Sequence, residues 1–481
     1  MVWLVTSDAV TQFNPRWPQN YELERQLDFE REFKILGQLF VYPLFVVSCV
    51  AGIFRPYYGL LGFYTFVFLE PEWNWRWSIP PGLNFQKYIS LCLLIGVFLY
   101  GFKGNAFSGW LGWTVACIVA FLGLAWLSSI QTIDAQFTFF YLDIITKVIF
   151  LAVVAMRIVD TREKAIGLLW VIVLCQAYSA FRINEQYFQD GYSLYSYMRS
   201  WGFKGDNNLY SIFTIPAMAG ALALSIHSKK LWHRGIAGFI AALQLHQMML
   251  MESRGCMIGG LFMIALIIWL MPKTRFNIGA AIIGVIVGSI LAGPPVIKEF
   301  TSSFESEGTR DSSADSRFKL WQAGLKITLD NALLGVGPYA GQVKVPQYIP
   351  EYSGMYNKGL HNLVFEISTG CGIPALIFYL LFLLIPWWQA FWTYRREKKT
   401  MDGATAACLL SLTVGIPGYL VSSMFSSGAL LESSYILVSC CAASLVVWQR
   451  TQDSETSEDA LEETEEFQYF EGDSVISSVS T

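Results

Sequence analysis

GIAGFIAALQLHQMMLMESRGCMIGGLFMIALIIWLMPKTRFNIGAAIIGVIVGSILAGPPV, residues 235–296, decides the class of fold. Its apolar runs at 235–251, 255–271 and 277–296 are parted only by the turns 252–254 and 272–276. A helix rises about 1.5 Å per residue, so each run approaches the roughly 30 Å of a bilayer's hydrocarbon core. Outward from this stretch the alternation repeats, with runs at 36–54, 57–69, 88–102, 108–128, 137–156, 165–183 and 209–226 before it and 370–392, 404–424 and 430–448 after it. Composition agrees: 54% of the 481 residues are apolar and 15% are charged, against about 25% charged in a soluble domain. A cytosolic enzyme and a secreted disulfide scaffold are excluded. So is a β-barrel, which needs alternating segments of roughly ten residues.

The expected fold is therefore all-α, a polytopic membrane protein with about 12–13 transmembrane helices and a long outer loop containing short helices. It divides into a polar N-terminal segment (1–35), a first bundle of about ten spans (36–296), a long extracytoplasmic loop (297–362), a second bundle of about three spans (363–449) and a tail (450–481). The N-terminal segment has no signal-peptide pattern, so insertion is expected to be directed by the first span. The tail carries ten carboxylates and no base after Arg450, the composition of a disordered acidic segment. Lys and Arg concentrate in loops 157–164, 227–234, 272–276 and 393–400, which fall on one side if spans alternate. By the positive-inside rule that side is cytoplasmic, and 70–87, 184–208, 252–254 and 297–362 face outward. Trp73, Trp75 and Trp77 then read as an interfacial aromatic belt.

Within the long outer loop, SRFKLWQAGLKITLD (316–330) has helical periodicity, with Phe318, Trp321, Leu325 and Ile327 or Leu329 near one face. NALLGVGPYAG follows, with turn glycines at 335, 337 and 341. The nine cysteines all lie in or beside apolar runs and read as small packing residues, with no Cys/His spacing that suggests metal. No basic, aromatic-interleaved patch suggests nucleic acid.

Few residues can carry chemistry. His227 and His233 flank a basic loop and His246 lies in a span, which leaves His361 at the outer boundary, where an imidazole can act as a general base. Arg199, Arg254 and Arg317 lie on three outer loops. Each could simply snorkel, but a guanidinium also offers phosphate the planar bidentate donors that lysine lacks. Lys147 is ionisable within a span, and either pairs with Asp143 or serves a proton relay.

Taken in order, RSWGFKGDNN (199–208), SRG (253–255), R-x3-W with NALLGVGPY (317–339) and H-N-x9-G (361–372) resemble the O-antigen ligase/polymerase superfamily across roughly residues 195–390. FRPYYGLLGFYTFVFLEPEWNWRW, from Phe54, is similar to the exosortase-associated O-glycosylation ligase branch. Two departures stand out: Asn207-Asn208 replaces a frequent Pro-Asn pair, which alters a turn, and Ala375 replaces a close-packing glycine. The resemblance implies a ligase that moves a glycan from a polyprenyl-diphosphate carrier, of the undecaprenyl kind, to an acceptor hydroxyl on a lipid, protein or glycan. It implies no cofactor, nucleotide sugar or metal, inversion at the anomeric carbon, and a bacterial inner membrane location. By the same resemblance His361, Arg254 and Arg317 are catalytic, and Arg199, Lys204, Asp206, Asn208 and Asn362 bind substrate. An O-antigen polymerase uses the same carrier with a second lipid-linked glycan as acceptor. A transporter or flippase for lipid-linked glycans is the reading from a different class, and would depend on mid-span ionisable residues. A metal-dependent transferase is disfavoured, since the first outer loop offers only Glu70 and Glu72.

Overall fold

The computed structural model describes residues 19–76, 78–193, 206–301, 312–352 and 359–453, and all its regular structure is helical. In chain order the helices are α1 (Gln19–Phe54), α2 (Pro56–Leu69), α3 (Pro71–Asn74), α4 (Phe85–Leu99), α5 (Gly109–Ser128), α6 (Ala135–Ile158), α7 (Arg162–Asp190) and α8 (Asn207–His227). They continue with α9 (Leu231–Leu250), α10 (Arg254–Leu270), α11 (Arg275–Thr301), α12 (Ser312–Asp330), α13 (Val345–Tyr348), α14 (Leu363–Glu397), α15 (Gly403–Ser423) and α16 (432–453). Seven of them, α1, α5, α6, α7, α8, α14 and α15, are long and apolar enough to cross a membrane. The remaining apolar runs form the shorter or less apolar helices α2, α4, α9, α10 and α11, together with α16. Helix α1 starts well inside the polar N-terminal stretch, and the tail beyond 453 lies outside the described residues.

Helices α8 and α15 form the centre: 78% of each apolar window is buried inside the protein, against 22% for α1. Small residues allow this packing. A Cβ on Gly259 of α10 would meet the Ser422 Oγ at 2.0 Å, and one on Gly415 of α15 would meet a Leu437 methyl at 2.7 Å. All nine cysteines are free thiols, and seven are buried.

The ends of the bundle differ in character. At one end Arg162 reaches Asp402 at 3.3 Å, His227 Nε2 lies 2.9 Å from the Tyr394 hydroxyl, and Lys398 donates to the Leu270 carbonyl at 2.6 Å. All four basic loops thus share this end. Burial, with the cations Lys273, Arg395 and Lys399, holds the Lys398 ammonium below its ordinary value. Lys147 pairs with Asp143 one turn away at 2.6 Å on an exposed face of α6.

Structure and sequence pattern part company in α12. Phe318, Leu325 and Leu329 share a face of α12, as the periodicity says, but that face is exposed, and Leu320, Ala323 and Ile327 are the buried ones. Close approach explains the choice: Gly324 lies against the Phe365 ring, where a Cβ would fall 2.8 Å from Cγ, so α12 docks its small-residue side onto α14. The outer tryptophans pack against protein. Trp75 stacks on Tyr178 at 4.9 Å, and Trp73 joins Ile183, Tyr210, Leu250 and Met251; Trp77 lies outside the described residues. Glu72 accepts the Gly82 and Asn84 backbone N–H groups and so closes its own loop.

The decisive irregularity is in α14. Gly372, the glycine of H-N-x9-G, takes φ 87° and ψ 170° and interrupts the helix. The loop after α12 fills the gap: Val336 N donates to Thr369 O, Gly337 N to Gly370 O, and Ile373 N to Ala332 O, at 2.7–3.0 Å. Its other side is held by the α5–α6 turn, through Gln131 Nε2 to Gly335 O, Ile133 N to Val336 O and Thr138 Oγ1 to Pro338 O. Backbone groups that the break would orphan in an apolar phase are thereby satisfied.

Gly372→Ala is expected to lower the thermal unfolding midpoint. It combines about 1–3 kcal/mol of left-handed strain with a Cβ placed 2.2 Å from the Leu333 carbonyl oxygen. Gly123→Ala, at a helical site with nothing within 4 Å, should leave the midpoint unchanged or raise it slightly. Equal effects of the two in the same detergent would refute this account of the break.

Candidate functional site

The end of the bundle opposite the basic loops gathers the starts of α8, α10 and α14 around the turn that follows α15. Asp206 caps α8 by accepting the Leu209 N–H at 2.8 Å. Asn207 donates to the Met251 carbonyl, and Asn208 accepts the Ser253 hydroxyl, each at 2.8 Å, which ties α8 to the α9–α10 turn. Asn362 caps α14 by accepting Val364 and Phe365 N–H groups, and its amide donates to Met424 O at 2.9 Å. Phe425 then seats against Gly255 of α10 and against Trp321 of α12.

The predicted residues that the structure describes can be placed on this frame. Arg254 is the first residue of α10, and Arg317 stands on α12. Arg317 and Asp206 both act electrostatically on Cys256, two residues beyond Arg254. Asn208 and Asn362 are engaged in the ties just described, and Asp206 in its cap. Arg199 and Lys204 lie outside the described residues. The other three histidines have partners of a packing kind: His227 with Tyr394, His246 with Asn184 and the Phe188 ring, and His233 with Trp170 and Trp232.

Electrostatics at the start of α10 favour an anion. A helix N-terminus carries roughly half a positive charge, with first-turn N–H groups that seek acceptors. Ser253 provides no side-chain capping bond there, and its hydroxyl donates to Asn208. Placing a guanidinium at the first position adds positive charge where a helix ordinarily takes a carboxylate. The combination suits phosphate oxygens.

His361 has φ 47°, a left-handed backbone uncommon for residues with a side chain. Glu252 and Tyr339, at φ 53° and 62°, share this property at the same end; together they are three of the six such non-glycine residues among those described. Strain of this kind persists where surroundings over-determine it, commonly at sites of function. A Cβ built on Gly359 would lie 3.8 Å from both Cε1 and Nε2 of His361 and 3.9 Å from Gln342 Oε1. The imidazole edge and the Gln342 amide therefore border the same glycine.

Gly359 also lines a small cavity with Tyr339, Gln342, Glu366, Thr369 and Ser427. Glu366 is one turn into α14 and 6% exposed. The backbone of Gly428 and Ala429 and the Ser427 side chain lie within hydrogen-bonding reach of its carboxyl, yet its Oε2 is buried without a partner. Tyr339 stacks on Tyr141, and its phenol is held above its ordinary value by burial and then by negative charge at Glu366 and Asp206. The sequence reading passes over Glu366, since an acidic residue in a first helical turn is ordinary. The usable signal is a carboxylate inside an otherwise apolar run beside H-N.

Residues 239–380, from α9 into α14, match the family model described as O-Antigen ligase. Over this stretch the chain is similar to the O-antigen ligase family. The stretch contains Arg254, Arg317, His361, Asn362 and the unforeseen Glu366. A search of curated proteins finds no match to the chain.

Asn362→Ala removes the single oxygen that accepts both capping N–H groups, and the link to the end of α15. It is expected to cost about 0.5–2 kcal/mol and to speed hydrogen exchange at Val364 and Phe365 more than elsewhere in α14. Uniform exchange along α14 in the variant would contradict the capping role.

Proposed function

We propose that this protein is a membrane glycosyltransferase of the O-antigen ligase type. It moves a glycan from a polyprenyl-diphosphate carrier, of the undecaprenyl kind, to an acceptor hydroxyl at the outer face of the bacterial inner membrane. The observation that carries the proposal is that three features fall at one end of the bundle within the matched segment: Arg254 at a helix start without a side-chain cap, Arg317 on the helix α12 that packs on α14, and His361, with a left-handed backbone, next to Gly359 of a polar cavity.

The chemistry follows from the charges. Breaking the bond between the anomeric carbon and the diphosphate sends the electron pair to the leaving oxygen, and cations that neutralise it lower the barrier. Arg254, the start of α10 and Arg317 supply that charge without a change of protonation. His361 takes the proton from the acceptor hydroxyl as its oxygen attacks the opposite face of the sugar, which inverts the centre. Asp206, Asn208 and Asn362 act through the helix starts they hold. Arg199 and Lys204, on the same outer stretch, contact the glycan. The lipid tail lies along the spans.

The test uses protein in lipid nanodiscs with a polyprenyl-diphosphate-linked oligosaccharide and lipid, peptide and glycan acceptors. His361→Ala should lower transfer by about 10²–10⁴-fold while donor binding persists. Arg254→Lys should weaken donor binding despite its retained charge, because the planar fork is lost. Full turnover by His361→Ala would remove the imidazole from the reaction. The molecule that becomes glycosylated separates ligase from polymerase, and carrier movement without transfer would establish a flippase instead.

A further inference from the structure

The end of the bundle opposite the site carries an excess of positive charge. Loops 157–164, 227–234, 272–276 and 393–400 hold twelve Lys and Arg against three Asp and Glu. Ion pairs there join Arg162 to Asp402 and Lys164 to Asp160. The cations around the end of α14 are engaged otherwise. Lys398 donates to the Leu270 carbonyl and Lys273 to that of Ile268, while Arg395 lies over the Trp269 ring and Arg396 over Trp392. None of these contacts brings in a carboxylate, and like charge at Lys273, Arg395 and Lys399 acts on Lys398. Lys273, Arg275, Arg395, Arg396 and Lys399 are exposed.

Helix α16 brings the C-terminal segment to this surface. Trp448 donates its indole N–H to Glu397, which stands between Arg396 and Lys398 in the sequence, and Gln449 accepts the Trp110 indole N–H at 2.9 Å. The last turns of α16 are therefore fastened beside the cations. Its described residues end at Asp453, roughly 8 Å beyond Trp448 at about 1.5 Å per helical residue. From residue 454 the sequence continues for 28 residues with nine carboxylates and no Lys or Arg. At about 3.3 Å per residue such a length spans on the order of 90 Å when extended, against roughly 10 Å between packed helices, so the neighbouring loops are within its reach.

A segment of one sign cannot neutralise itself, and an anionic bilayer surface repels it. Tethering holds its carboxylates near the cations at roughly millimolar effective concentration. We propose that residues 454–481 dock on the basic end of their own chain, across Lys273, Arg395, Arg396, Lys398 and Lys399, and cover it against other anions. That end is thus an interaction surface whose occupant is an acidic polypeptide supplied by the same molecule. The docking needs nothing from the reaction proposed above, which is assigned to the other end of the bundle.

The experiment compares full-length protein with a variant ending at Asp453 and with a full-length variant whose nine tail carboxylates are changed to amides, all in nanodiscs of zwitterionic phosphatidylcholine. Lysines are acylated with an N-hydroxysuccinimide ester and read by mass spectrometry, with the exposed Lys326 of α12 as internal standard. Labelling of Lys273 and Lys399 should rise about fivefold or more in both variants, as when a tethered ligand at millimolar effective concentration is lost, while Lys326 stays unchanged. Salt at about 1 M, which shortens the Debye length to roughly 3 Å, should bring full-length labelling up to that of the variants. A water-soluble carbodiimide should join tail carboxylates to Lys273, Lys398 or Lys399. In co-reconstituted light and heavy isotope-labelled protein, those cross-links should stay within one isotope.

Equal labelling of the full-length and shortened proteins would overturn the docking. Protection that arises only when phosphatidylglycerol is added, and equally in full-length and variant protein, would overturn it in favour of lipid headgroups. Cross-links between light and heavy chains would overturn docking within one molecule and assign the surface to the tail of a second copy.

Discussion

Three backbone hydrogen bonds between a broken helix and the loop that fills its gap hold this molecule's working end together. In an apolar phase a helix cannot be interrupted unless the freed N–H and C=O groups find new partners. At Gly372 those partners come from Ala332, Val336 and Gly337. The same strand of loop carries Tyr339, Gly341 and Gln342 onward to the cavity. The break therefore positions this part of the lining, and α14, which begins just after His361 and Asn362, brings Glu366 and Thr369 to the same cavity. The glycines at 335, 337 and 372, all with positive φ, belong to this single construction.

Around it, capping side chains do two jobs. Asn362 satisfies the start of α14 and grips the end of α15, and Asn208 accepts the Ser253 hydroxyl and so ties the start of α10 to α8. The result is uneven. Two helix starts are closed by Asp206 and Asn362, whereas α10 opens on a guanidinium. An anion is favoured at one point of the frame, and the carboxyl of Glu366 disfavours it at another.

Much of this was legible in the residues. Apolar runs of about 17–20 residues reappear as helices, because burying backbone in lipid leaves few other choices. Histidine elimination singled out His361 as the candidate, because His227 and His233 flank a basic loop and His246 lies in a span; the structure then gives those three partners of their own. Two things were not legible. Periodicity placed Phe318, Leu325 and Leu329 on one face of α12 but did not tell which apolar face is buried; Ala323 and Gly324 won because small residues let α12 approach Phe365. Glu366 was hidden by its own normality, since its meaning depends on a cavity shaped by residues as distant as Tyr339 and Ser427.

What the sequence determined by itself is the solvent and the order of parts: a helical bundle for lipid, its basic loops at one end, and arginines and one histidine on the loops at the other. Hydropathy and loop charge are local quantities, so a chain read one window at a time reveals them. Tertiary structure alone decided which of those loops meet, that α10 starts without a side-chain cap, and that the Glu366 carboxyl is buried against a small polar cavity. Those facts are long-range: they depend on hydrogen bonds and contacts between residues tens to hundreds of positions apart, such as Asn208 with Ser253 and Ser128 with Gly370, and no single stretch of sequence contains both partners.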